Sequence, residues 1–212
     1  MTSSKKMTWG VATSSFQIEG ATNTGNRGES IWDRFCATAG KVKNGDTGEI
    51  ACNHFQLFKE DIQLMKSLNI QAYRFSVAWP RIFPTGFETS PNPEGLKFYS
   101  DLVDALIEAD IEPWLTLYHW DMPQALQEIG GWCNRDIIGH FNKYTKALVE
   151  CLGDRVKNWI TINEPWVICH LGHATGEHAP GIEDWTSALK AAHHVLLAHG
   201  AAVSVIKSEL PN

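Results

Sequence analysis

Short apolar runs alternate with amphipathic stretches along the whole chain. Residues 9–14 (WGVATS), 72–79 (AYRFSVAW), 113–119 (PWLTLYH) and 158–163 (NWITIN) read as strands. They are brief and apolar-rich, as buried parallel strands are. Between them the apolar residues shift to helical spacing. Phe55, Phe58, Ile62 and Met65 predict one face of a helix over 54–67. A second helix follows Asn92-Pro93, with Leu96, Tyr99, Leu102 or Val103, and Leu106 inward. Asn134 has the chemistry of an N-cap for a third, which carries Ile138, Phe141, Thr145, Leu148 and Leu152. The fourth, about 186–207, places Leu189, Ala192, Leu196, Val203 and Ile206 on its packed side.

Alternation of this kind predicts an α/β fold with a parallel sheet, open or closed. The connections differ in length by type. After the strands come Gln17 to Asn53, a Pro- and Gly-bearing segment over 80–91, and GHATGEHAPG at 172–181. Links from helix to strand are short. Long loops gathered at strand C-termini are where barrel enzymes keep their chemistry, so that side is the expected functional face.

Composition narrows the classes. The chain has 212 residues, 43% of them hydrophobic, enough for one sizeable domain. A net charge of −6 argues against nucleic acid or an anionic membrane as partner. The N-terminal MTSSKKMTWG has lysines but no apolar core, so no signal peptide is expected. No uninterrupted apolar run approaches about 18 residues, so no membrane span is expected. Five cysteines, odd in number and without a CxxC pair, fit free thiols in a reduced, cytoplasmic setting. Nine Trp and nine Phe either fill the core or offer flat faces to ligands such as sugars.

Polar residues at the strand ends carry the candidate chemistry. Gln17 follows the first strand, and its amide suits either two neighbouring hydroxyls or its own loop backbone. Arg74 sits inside an apolar strand and needs a carboxylate or several acceptors, structural or catalytic. His119-Trp120 ends the third strand, as a hydrogen-bonding ring beside a stacking one or as packed rings at a capped end. Asn163-Glu164-Pro165 ends the fourth. Proline disfavours helix in the residue before it, so Glu164 is expected to be the last extended residue before a loop. Glu164 suits protonation of a leaving oxygen, with Asn163 on a neighbouring hydroxyl. Any one of these fits a bland role, but their coincidence at the ends of three strands, with Arg74 inside the remaining one, does not. His170 and His173, or the adjacent His193 and His194, imply no metal, because the first pair lies in a Gly-rich stretch expected to be loop and the second cannot share a helix face.

Taken together, WGVATSSFQIEG (9–20), YRFSVAWPRIFP (73–84), LTLYHWDMPQAL (115–126), GGW (130–132), TINEPW (161–166) and HAPG (178–181) resemble glycoside hydrolase family 1. This is the family of β-glucosidases and β-galactosidases. The resemblance implies a TIM-barrel, (β/α)8-family fold, of which residues 1–212 hold the first four βα units as a half-barrel. It implies that Gln17, His119, Trp120 and Asn163 bind the non-reducing sugar and that Glu164 is the general acid/base. By the same resemblance Arg74 supports the nucleophilic carboxylate, and Trp166 and Leu171 line the leaving-group entrance. His173 stands where the family commonly has tyrosine and receives no role. No cofactor or metal is implied. The family's nucleophile, a Glu in a Thr-Glu-Asn-Gly motif after the seventh strand, has no counterpart here. Neither Glu183 nor Glu209 lies in such a motif. The chain alone is therefore expected to be inactive, with two open sheet edges. Expected partners are a small β-glucoside or related saccharide, and a C-terminal half-barrel or a second copy of the chain.

Overall fold

A computed structural model describes residues 7–210. In chain order the elements are β1 (Gly10–Ala12), α1 (Ser15–Ile18), α2 (Ile31–Ala37), α3 (His54–Ser67), β2 (Ala72–Ser76) and α4 (Trp79–Ile82). These are followed by α5 (Pro93–Glu108), β3 (Glu112–Tyr118), α6 (Gln124–Glu128), α7 (Ile137–Leu152), β4 (Asn158–Ile162) and α8 (Trp185–Glu209). The four strands form one parallel sheet in the order β1-β2-β3-β4. Four βα units in sequence order are the first half of a (β/α)8 barrel.

Register assigns the two faces of the sheet. Arg74 lies opposite Trp114, and Thr116 opposite both Ser76 and Ile160, so these residues share the face that would line a barrel. Tyr73, Phe75, Leu115 and Leu117 point the other way and are buried beneath the helices. The edges are β1 and β4, and all three β1 residues are exposed.

The helices form where the apolar spacing predicts them, with corrections at their ends. In α5, Pro93 takes the first turn, where its missing N–H costs nothing, and the Asn92 side chain accepts from the Glu94 N–H at 3.2 Å. Asn134 does not cap α7. It accepts from the Asp136 N–H at 3.0 Å and caps the turn at residues 135–136, which separates it from the helix start at Ile137. The segment from Gln17 to Asn53 is not all loop. Ser30 and Asp33 exchange side-chain-to-backbone hydrogen bonds in a capping box that starts α2.

The largest correction concerns α8. Its packed side is made of Ala188, Ala191, Val195, Ala198 and Ala202, while Leu189 and Leu196 are 71% and 65% exposed. Small residues let the helix lie close to α7 and β4, and the leucines are left on the opposite side. By length and composition α8 is also apolar enough to cross a membrane, which the absence of an unbroken apolar run had concealed. In this fold it is the outer helix of the fourth βα unit.

Candidate active site

Asn163, immediately after β4, is the hub of the strand ends. Its side chain is buried, with 6% residual exposure. Its Oδ1 accepts from Arg74 Nη2 at 2.6 Å, its Nδ2 meets His119 Nε2 at 3.2 Å, and its carbonyl accepts from the Trp120 indole at 3.2 Å. The Arg74 Nε also donates to Thr116 Oγ1 at 3.1 Å. Arg74 thus resolves its burial with neutral acceptors, and it has no carboxylate partner among the described residues.

These contacts fix hydrogens as well as heavy atoms. Arginine only donates, so the oxygen of the Asn163 amide must face Arg74. The amide nitrogen then faces His119, whose Nε2 must accept. His119 is therefore the neutral Nδ1–H tautomer, with Nδ1 buried and without a protein partner. Burial first, and the Arg74 charge second, push its pKa down to about 4. We expect the His119 ring to stay neutral from pH 5 to 8, gaining its proton only as the pH falls towards 4. An NMR titration showing a midpoint near the ordinary histidine value of about 6.5 would contradict this.

Glu164 is exposed, one residue beyond the hub. It is not the last extended residue. The strand stops at Ile162, and Glu164 has φ = 45°, in the left-handed region. Pro165 excludes the ordinary helical conformation for Glu164 yet suits the first turn of a helix, so the chain passes from strand to helix instead of into a loop. Trp120 is likewise left-handed, with φ = 81°. Such backbone costs roughly 1–3 kcal/mol per residue and gathers at functional positions.

A π-helical turn, Val167–Leu171, follows Glu164 where a Gly-rich loop was expected. It carries half-buried Leu171. Exposed Trp166 stacks on His170, with centroids 4.6 Å apart, and His170 contacts Trp185. His173 turns inward, its Nδ1–H donating to the Ile168 carbonyl at 2.8 Å.

Gln17, on the exposed side of α1, lines a cleft of about 380 Å³ together with Phe16, Trp32, His119, Trp120 and His178. The predicted residues therefore form two linked groups. Hydrogen bonds join Arg74, Asn163, His119 and Trp120, while the cleft joins Gln17 to His119 and Trp120. Glu164, Trp166 and Leu171 extend from Asn163 along the chain, outside the cleft lining. Trp32 and His178 were missed as lining residues, although His178 opens the HAPG motif. Trp32 stacks on Trp120 at 6.4 Å and meets the His178 ring edge-on at 5.4 Å.

An exposed carboxyl, a guanidinium without a carboxylate, a neutral imidazole, an amide and indoles can together hydrogen-bond and stack on a polyhydroxylated ring and transfer a proton at its edge. The glycosyl hydrolase family 1 profile matches residues 2–212. The chain belongs to glycosyl hydrolase family 1. Beta-glucosidase A of Thermotoga maritima is 52% identical over 199 residues, 94% of this chain and 44% of that protein. Beta-glucosidase A of Acetivibrio thermocellus is 49% identical over 203 residues, covering 96% and 45%. The Thermotoga maritima beta-glucosidase in complex with glucoimidazole superposes with a TM-score of 0.95 at 50% identity, covering 97% of this chain and 47% of that one. The chain thus spans slightly under half the length of its family 1 relatives.

Proposed function

We propose that the chain is the acid/base half of a retaining β-glycosidase, most closely a β-glucosidase. The Arg74–Asn163–His119 hydrogen-bonded set, one residue from Glu164, carries this reading. Asn163, His119, Trp120 and Gln17 hold the glycone. Protonated Glu164 donates to the departing oxygen and then, as carboxylate, takes a proton from water. Retention needs a second carboxyl about 5–5.5 Å from the first, and Arg74 is the cation placed to hold it. That carboxyl comes from the partner half-barrel. Trp166 and Leu171 flank the leaving group.

The bare β1 and β4 edges, with Trp9, Trp114, Leu189 and Leu196 exposed, support a partner that closes the barrel. The test is to mix this chain with the remaining half of Thermotoga maritima beta-glucosidase A and follow sedimentation and nitrophenyl β-glucoside hydrolysis. We expect no turnover from the chain alone and turnover from a one-to-one complex. A complex that forms and does not turn over would reject the enzyme reading in favour of a sugar-binding or assembly module.

A further inference from the structure

Behind the strand-end residues lies a buried polar clamp. Asp121, fully buried two residues after His119, accepts a hydrogen bond from the Ser15 hydroxyl through Oδ2. The Ser15 N–H donates to Ser76 Oγ at 2.8 Å, and the two serine hydroxyls are 3.0 Å apart. Ser15 lies just past β1, Ser76 ends β2, and Asp121 lies just past β3. The clamp therefore joins the C-terminal ends of three successive strands.

An apolar trio would pack there at less cost, since the buried carboxyl is pushed up to about 7 by its burial and its Oδ1 has no protein partner. Its position points to another use. Trp120, between His119 and Asp121, has the left-handed backbone that persists only where both flanks are held. On one flank Asn163 N–H donates to the Tyr118 carbonyl at 2.9 Å. On the other, Asp121 is fixed by Ser15, and the next carbonyl, of Met122, accepts from Ile31 N–H at 2.9 Å.

We propose that Asp121, through Ser15, is a positioning residue for the glycone site: it holds Trp120 in its left-handed conformation and so keeps the indole on the Asn163 carbonyl. Asp121 touches no sugar and acts through Trp120. Only the effect on sugar binding rests on the glycosidase reading; the effect on the indole does not.

The decisive measurement is hydrogen exchange of the indole N–H groups in this chain, by NMR. Trp120 Nε1–H is bonded to the Asn163 carbonyl, while buried Trp132 Nε1–H is bonded to Tyr118 Oη at 3.1 Å and reports general loosening. Ser15→Ala and Asp121→Ala should each speed exchange at Trp120 about tenfold, the worth of one hydrogen bond, and leave Trp132 unchanged. Asp121→Asn, which keeps an acceptor for Ser15, should restore wild-type exchange. Unchanged exchange at Trp120 in Ser15→Ala, or a parallel rise at Trp132, would overturn the proposal. In the complex with the Thermotoga half, Ser15→Ala should raise KM for a β-glucoside about tenfold with little change in kcat. Failure of turnover in the unmutated complex would reject the glycosidase reading, while the exchange result would still decide the clamp.

Discussion

Glu164→Gln will, on the proposed glycosidase reading, lower turnover of an alkyl β-glucoside by about 10²–10⁴-fold in the complex with the Thermotoga half, the span that a positioned acid or base contributes. Glutamine keeps the size of the side chain and its exposed place beyond Asn163, but it has no acidic proton to give. An alkoxide is a poor leaving group and needs that proton in the transition state. A dinitrophenolate does not, so the first step with a dinitrophenyl β-glucoside should be nearly unchanged and should appear as a pre-steady-state burst. The left-handed backbone at residue 164 strains Gln as it strains Glu, so folding should be unaffected. Equal losses of the first step on both substrates, or no loss on either, would remove Glu164 from the acid role.

Arg81→Met will destabilise the chain by about 3–5 kcal/mol, as expected when one partner of a buried ion pair is removed. The Arg81 and Glu19 side chains are 1% and 6% exposed, joined by bonds of 3.2 and 3.1 Å from Nε and Nη2 to Oε2. Tyr99 donates to the other Glu19 oxygen at 2.6 Å, and the Ala78 N–H donates to the Tyr99 hydroxyl at 2.7 Å. Phe55 covers the guanidinium, 4.3 Å from its ring centroid. Met fills the stem's volume but leaves the Glu19 carboxylate facing apolar rings. Adding Glu19→Gln removes that stranded charge and should recover more than half of the loss. The urea midpoint of each variant measures both effects, and a single-mutant loss below about 1 kcal/mol would show that the pair is not sealed from water. Glu19 is two residues from Gln17, so the same pair anchors the segment that brings Gln17 to the cleft.

The helical period located α3, α5 and α7 because most of their large apolar residues lie on one side. It misplaced the inward face of α8, where alanines pack and leucines face out, since apolar size is a guide to burial only when one side is polar. At the strand ends, residue type identified Arg74, His119, Trp120, Asn163 and Glu164 as candidates, and the first four meet through hydrogen bonds. Their connection was not legible. Nothing in the spacing says that Asn163 touches Arg74, His119 and Trp120 at once, because that depends on strand register. The left-handed turn at Glu164 was also hidden, since proline excludes one conformation for its predecessor without selecting among the others. Asp121 and Arg81 were not legible as buried groups, because burial of a charged residue is a property of the packed chain.

The backbone signs at Trp120 and Glu164 bear on how this protein can be engineered. Glycine adopts a positive φ without steric penalty, so exposed Glu164 would gain stability by becoming glycine, whereas Trp120 would lose the packing and the hydrogen bond of its indole. A library screened for heat resistance or expression alone will therefore be drawn to position 164. Its most robust members will have lost the carboxyl that stands beyond Asn163. Position 164 is the one to hold fixed before any such screen begins.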